Sequence, residues 1–141
     1  MHAWLVMLKA FHAIAARARL CLEEAGLCDS DFRVLEVLLH KGPLPVNTIG
    51  PRVHLTPGSI SIAVDRLHAR GLVSRVAAPG DRRVRLVDLT PTGRAFILPV
   101  FGAHARAVSE IFEVLSADEL AGLEGLLKRV GLRAEALGGT R

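Results

Sequence analysis

Between residues 56 and 71 apolar and polar positions recur with a helical period. Ile60, Ala63, Val64 and Leu67 stand at i, i+3, i+4 and i+7, so one face of a helix is buried. Ser59, Ser61, Ile62, Asp65 and Arg66 fall mostly on the opposite face. Thr56 offers a hydroxyl to the unpaired amides of the first turn, and Pro57 sits where its missing N–H costs nothing. Gly71 ends the helix after the cation Arg70. The pattern then changes to two β-branched runs, 72–77 and 83–89, joined by Ala78-Pro79-Gly80-Asp81-Arg82, a turn by composition. That spacing predicts a hairpin.

The flanking chain reads as helices. Over 3–25, Trp4, Leu5, Leu8, Phe11, Ala15, Ala18 and Cys21 or Leu22 form a stripe that Gly26 ends, and a second copy of the chain is an outlet for it. Cys28-Asp29-Ser30-Asp31 opens the next helix, with Asp29 or Ser30 as cap; Phe32, Leu35, Val37, Leu38 and Leu39 fill it and Gly42-Pro43 closes it. Leu44-Pro45-Val46 is an edge strand or a linker. Residues 47–53 form a short helix, with Asn47 as cap so that Pro51 falls at the edge of the first turn, and His54-Leu55 turn the chain into Thr56. Thr90-Pro91 repeats the cap-plus-proline start of a long apolar helix running from Phe96 to Leu115, with a kink expected at Pro99. Ser116 to Glu119 reads as a capping box; Leu120, Leu123, Leu126, Leu127, Val130 and Leu137 follow, as far as Gly138-Gly139.

The chain is 141 residues long and half hydrophobic, enough for one core with additional helices. The net charge is only +4, but it is concentrated. Between Arg52 and Arg94 lie Arg66, Arg70, Arg75, Arg82, Arg83 and Arg85, against Asp65, Asp81 and Asp88. A helix with a small polar outer face beside an arginine-tipped hairpin suits duplex DNA, with the helix in the major groove and the thin loop in the narrower minor groove. A solvated arginine-rich surface is the plainer alternative. With no Tyr and few aromatics, the stacking platforms of single-strand binders are missing.

Little points to an enzyme. The six His residues are not paired at helical spacing and none lies near a Cys at zinc spacing, so neither metal nor cofactor is expected. The two cysteines do not make a disulfide framework. No run approaches the roughly 20 apolar residues of a membrane span, and residues 1–16 lack the layout of a signal peptide. A cytoplasmic protein without membrane association is expected.

Asp65-Arg66-Leu67, Arg70-Gly71-Leu72-Val73, Arg75, Asp81-Arg82-Arg83, Leu89-Thr90 and Gly93 occur in the order and spacing of the MarR family of winged helix-turn-helix transcription regulators, which the chain resembles over nearly its whole length. The resemblance implies a mainly α fold with a small β-hairpin wing. Residues 30–90 would form the DNA-binding lobe, with 1–26 and 91–138 a helical dimerisation lobe. It implies a homodimer on an inverted-repeat operator, and a repressor relieved by a small aromatic ligand or an oxidant. Arg52, Thr56, Ser59, Ser61, Ile62, Arg66, Arg82, Arg83 and Arg85 are the candidate DNA contacts, Arg83 for the minor groove. An Asp81–Arg83 ion pair would shape the wing. At position 62 many relatives carry a polar or basic residue, whereas Ile62 offers an apolar contact to a thymine methyl. Cys21 and Cys28 are candidate redox residues, Cys28 beside a helix N-terminus, although buried small hydrophobes are the commoner fate of free cysteines. His12, Arg17 and Phe32 are candidates for a ligand pocket. The alternative reading is a winged helix that contacts protein instead of DNA.

Overall fold

A computed structural model describes residues 1–78 and 81–138, with the backbone alone at 78 and 81–84. Among these residues the chain forms α1 (His2–Glu24), α2 (Asp29–Lys41), β1 (Leu44–Pro45), α3 (Val46–Arg52), α4 (Pro57–Ala69), β2 (Val73–Ala78), β3 (Asp81–Leu89), α5 (Pro91–Phe112) and α6 (Ala117–Gly138). The mainly α fold with a small antiparallel sheet is the one the sequence implied. Two compact units divide within α5, the first Met1–Ala107 and the second from Val108 onward.

The first unit is built on one apolar core. Leu35 and Leu38 of α2, Ile49 of α3, Val64 and Leu67 of α4, Val73 and Val87 of the sheet, and Ile97 of α5 are fully buried in it. The buried stripe of α4 is Ile60, Ala63, Val64 and Leu67, as its period predicts. Two helices of this unit close with the same cap. Gly71 (φ +69°) donates to the His68 carbonyl at 2.9 Å while Leu72 donates to that of Leu67 at 3.0 Å. Gly26 (φ +63°) and Leu27 repeat the arrangement on Glu23 and Leu22, at 3.0 and 2.8 Å. Each glycine adopts the left-handed conformation that satisfies the last carbonyls of its helix.

The sheet has the order β1-β3-β2, and of the two readings of 44–46, edge strand or linker, β1 takes the first over Leu44–Pro45. Val73 pairs with Leu89 and Ala77 with Arg85, and the register shifts between Ala77 and Ala78. The strands reach further into the basic turn than its composition suggests. Behind them, Thr90 Oγ1 accepts the Gly93 amide at 2.9 Å and donates to the Gly71 carbonyl at 2.7 Å. Gly93 is forced by this join, since a Cβ there would stand 1.8 Å from the Leu72 carbonyl oxygen.

Other local expectations are corrected. The N-cap of α2 is Cys28, not Asp29 or Ser30, and its side chain makes no cap bond. The helix α3 starts at Val46 with Pro45 as cap, which places Pro51 inside the helix. Proline has no amide to continue the ladder there, and α3 ends one residue later. Pro99 likewise lies within α5. That helix also has an 18-residue window of mean hydropathy 1.3, long and apolar enough by composition to cross a bilayer, which the sequence reading did not expect. Its Gly93 and Ile97 are buried in the first unit. In the second unit Glu119 Oε2 accepts the Ser116 amide at 2.8 Å, completing the predicted capping box of α6.

Candidate nucleic-acid interface

The exposed face of α4 is set by how its ends and flanks are tied. Thr56 Oγ1 accepts the Ser59 amide at 3.2 Å and lies 2.9 Å from Ser59 Oγ. Ser61 Oγ donates back to the Pro57 carbonyl at 3.0 Å. Asp65 is paired with Arg75 on β2. Ile62, between these groups, is 62% exposed.

Arg66 has a partner that its sequence context does not show. Its Nε donates to both Asp31 carboxylate oxygens, at 3.1 and 2.9 Å, and its Nη2 to Oδ1 at 2.6 Å. Nη2 also approaches Cys28 Sγ at 3.1 Å and Ser30 Oγ at 3.2 Å. Asp31 is 2% exposed, the one buried charge among the described residues. A buried carboxylate needs a partner, and the hydrogen bonds to Asp31 raise the Arg66 pKa above its ordinary value. Arg66 therefore fastens α4 to the start of α2, while its side chain remains 44% exposed. Arg70 is also engaged, donating to the Gly26 carbonyl at 3.0 Å with its guanidinium 5.4 Å from the Phe96 ring centre.

Arg85 is exposed on β3, opposite Ala77. The side chains of Arg82 and Arg83, and with them the Asp81–Arg83 ion pair, lie outside the described residues. Arg52 is exposed at the end of α3 and lines a cleft of about 380 Å³ with Arg33, Glu36, Val37, His40, Lys41, Val53 and His54. Arg33 Nη1 donates to the Val53 carbonyl at 3.1 Å, holding α2 to the turn before α4. His54 has φ +54°, the one non-glycine residue with positive φ among those described.

The candidate pocket residues have different surroundings. Phe32 is buried, its ring 4.5 Å from that of His104, whereas His12 and Arg17 lie on the exposed side of α1. The cleft residues were missed, yet Arg33, Glu36, Val37 and His40 stand at i, i+3, i+4 and i+7, a signal for a shared face. Cys28 is exposed; Cys21 is half-buried, its Sγ 3.7 Å from His104 Nδ1.

A capped helix presented outward beside a short arginine-bearing hairpin is the arrangement of a winged helix-turn-helix. The sequence model described as the MarR family matches residues 25–84. The chain is 36% identical over 132 residues, 94% of its length and 91% of the other's, to the HTH-type transcriptional regulator MhqR of Bacillus subtilis (strain 168). The chain belongs to the MarR family. A MarR family regulator from Silicibacter pomeroyi superposes with a TM-score of 0.76 at 27% identity, over 99% of this chain and 90% of that one. BpsR of Bordetella bronchiseptica, whose DNA binding is regulated by 6-hydroxynicotinic acid, shares the fold at a TM-score of 0.79, with 24% identity over 89% and 90% of the two chains. This MarR protein is a sequence-specific, double-stranded-DNA-binding transcriptional regulator.

Proposed function

We propose that this MarR protein is a homodimeric repressor that places α4 of each protomer in successive major grooves of an inverted repeat, and that a small aromatic anion releases it. The observation that carries the reading is the recognition helix itself, capped by Thr56, anchored to α2 through Arg66 and Asp31, and exposed along the face that bears Ser59, Ser61 and Ile62. Of the described candidate arginines, the exposed Arg52 and Arg85 would meet the phosphates. The exposed Trp4, Leu5, Val6 and Phe11 of α1, and an α6 with no buried residue, support a second copy that would cover them. Two-fold symmetry sets the half-sites about one helical turn apart, near 34 Å.

The cleft between α2 and the turn before α4 is the proposed ligand site. Lys41 and Arg52, with Arg33 (itself paired with Asp29 at 2.8 Å), His40 and His54, stand around Glu36 and an apolar floor from Val37 and Val53. Lys and Arg beside an apolar floor suit an aromatic carboxylate. A ligand seated there bears on His54, two residues before the Thr56 cap, and so selects a different setting of the recognition helix.

The test is selection from a randomised duplex pool, followed by titration of the enriched duplex with a panel of aromatic acids. An enriched inverted repeat, released by at least one acid in the wild type but not in a Lys41→Ala variant that still binds, is the expected result. Enrichment without symmetry removes the dimer; an acid response unchanged in the variant removes the cleft.

A further inference from the structure

The exposed face of α4 lacks the side chains that usually read bases. Direct readout of a purine relies on Arg or Lys donating to guanine O6 and N7, or Asn or Gln pairing with adenine. No Lys, Asn or Gln occurs in the helix, and its one arginine, Arg66, is bonded to Asp31. Asp65, the remaining charge, is held by Arg75. Ser61 donates its hydroxyl proton to the Pro57 carbonyl, and Ser59 shares a hydrogen bond with Thr56. Most of the polar groups on this face are thus already hydrogen-bonded within the protein, the Arg66 guanidinium through Nε and Nη2.

Ile62 is what projects. One turn before it stands Gly58, where an added Cβ would meet nothing within 4 Å. Helical side chains lean toward the N-terminus, over the preceding turn. Ile62 therefore lies over a gap, with its branched end uncovered and the helix backbone free to approach the groove. The major-groove group that matches a bare aliphatic side chain is the C5-methyl of thymine.

We infer that Ile62 is the specificity-determining residue of this regulator, and that it selects a thymine in each half-site by packing on its methyl group. The inference rests on α4 being the recognition helix. It makes the readout a matter of one methyl, since uracil offers the same hydrogen-bonding edge as thymine without the methyl.

The experiment uses the full-length protein and the duplex enriched from a random pool. Each thymine is replaced in turn by deoxyuridine, symmetrically in both half-sites. One position is expected to lower affinity about fourfold per half-site, the worth of one buried methyl, and so about fifteenfold for the pair. An Ile62→Ala variant, folded by circular dichroism, should bind the thymine and uracil duplexes equally. At that position 5-methylcytosine should be bound more tightly than cytosine by the wild type alone. Tight binding indifferent to every uracil, or a methyl preference that survives Ile62→Ala, overturns the assignment while leaving DNA binding intact. Failure of the pool to enrich any duplex overturns the recognition-helix reading together with it.

Discussion

Arg66 shows how tertiary structure gives a surface residue a buried partner. By period it belongs to the outer face of α4, and by composition to a basic patch. Its partner Asp31 lies 35 residues earlier in the sequence, a distance that no local pattern reports. Replacing Arg66 by Ala leaves a carboxylate with 2% exposure unpaired, at a cost of about 3 kcal/mol. Urea unfolding should show this loss, and an Asp31→Leu change in the same chain should recover part of it. Equal destabilisation in both variants would mean the pair is not coupled. The cysteines divide in the same way. Cys28 is exposed beside the Arg66 guanidinium and Cys21 is half-buried against His104. An aromatic disulfide reagent should label Cys28 first, and Cys28→Ser should remove the fast phase.

At the scale of elements, most of the fold could be read from the sequence because its signals are local. The Thr56 and Ser116 caps, the glycine stops at Gly26 and Gly71 and the stripe of α4 depend on residues within one or two turns. The start of α3 did not follow, because a cap at Asn47 competed with Pro45, and the chain placed Pro51 within the helix instead. Gly93 was recognised only as part of a motif; its physical reason is the Leu72 carbonyl, which occupies the space of a Cβ. Gly93→Ala should cost about 3 kcal/mol or more through overpacking, visible as a lowered denaturation midpoint with an unchanged slope. In α6 the Ser116 amide and hydroxyl hold the Glu119 carboxylate below its usual pKa. A carboxylate with a depressed folded pKa adds stability above its unfolded value of 4.5 and loses it as pH falls through the folded value. Glu119→Gln should therefore melt earlier than wild type at pH 7, and the two curves should converge in acid below pH 4.5.

At the scale of the molecule, the candidate interface was legible as a region and less so as a set of contacts. The helix, the hairpin and the exposed Ile62 were found from spacing. The cleft under the α3–α4 turn was not, because its charges come from two elements that only folding brings together. The exposed Trp4 and Phe11 stand at i and i+7 on one face of α1, an apolar pair of the kind that marks an interaction face. Sedimentation equilibrium should return a dimer, and Trp4→Glu with Phe11→Glu should give a monomer with much weaker operator binding. Dimeric behaviour in the double variant would place the interface elsewhere.

The arginines that the fold keeps for itself have a further consequence. Arg66, Arg70 and Arg75 are bound to Asp31, Gly26 and Asp65, so they displace few counterions from a duplex. Each phosphate neutralised steepens the fall of log K with log salt by about 0.9. Among the described candidate arginines that leaves Arg52 and Arg85, exposed and outside these pairings, to set the salt dependence expected of operator binding, to which Arg66 and Arg75 would add little.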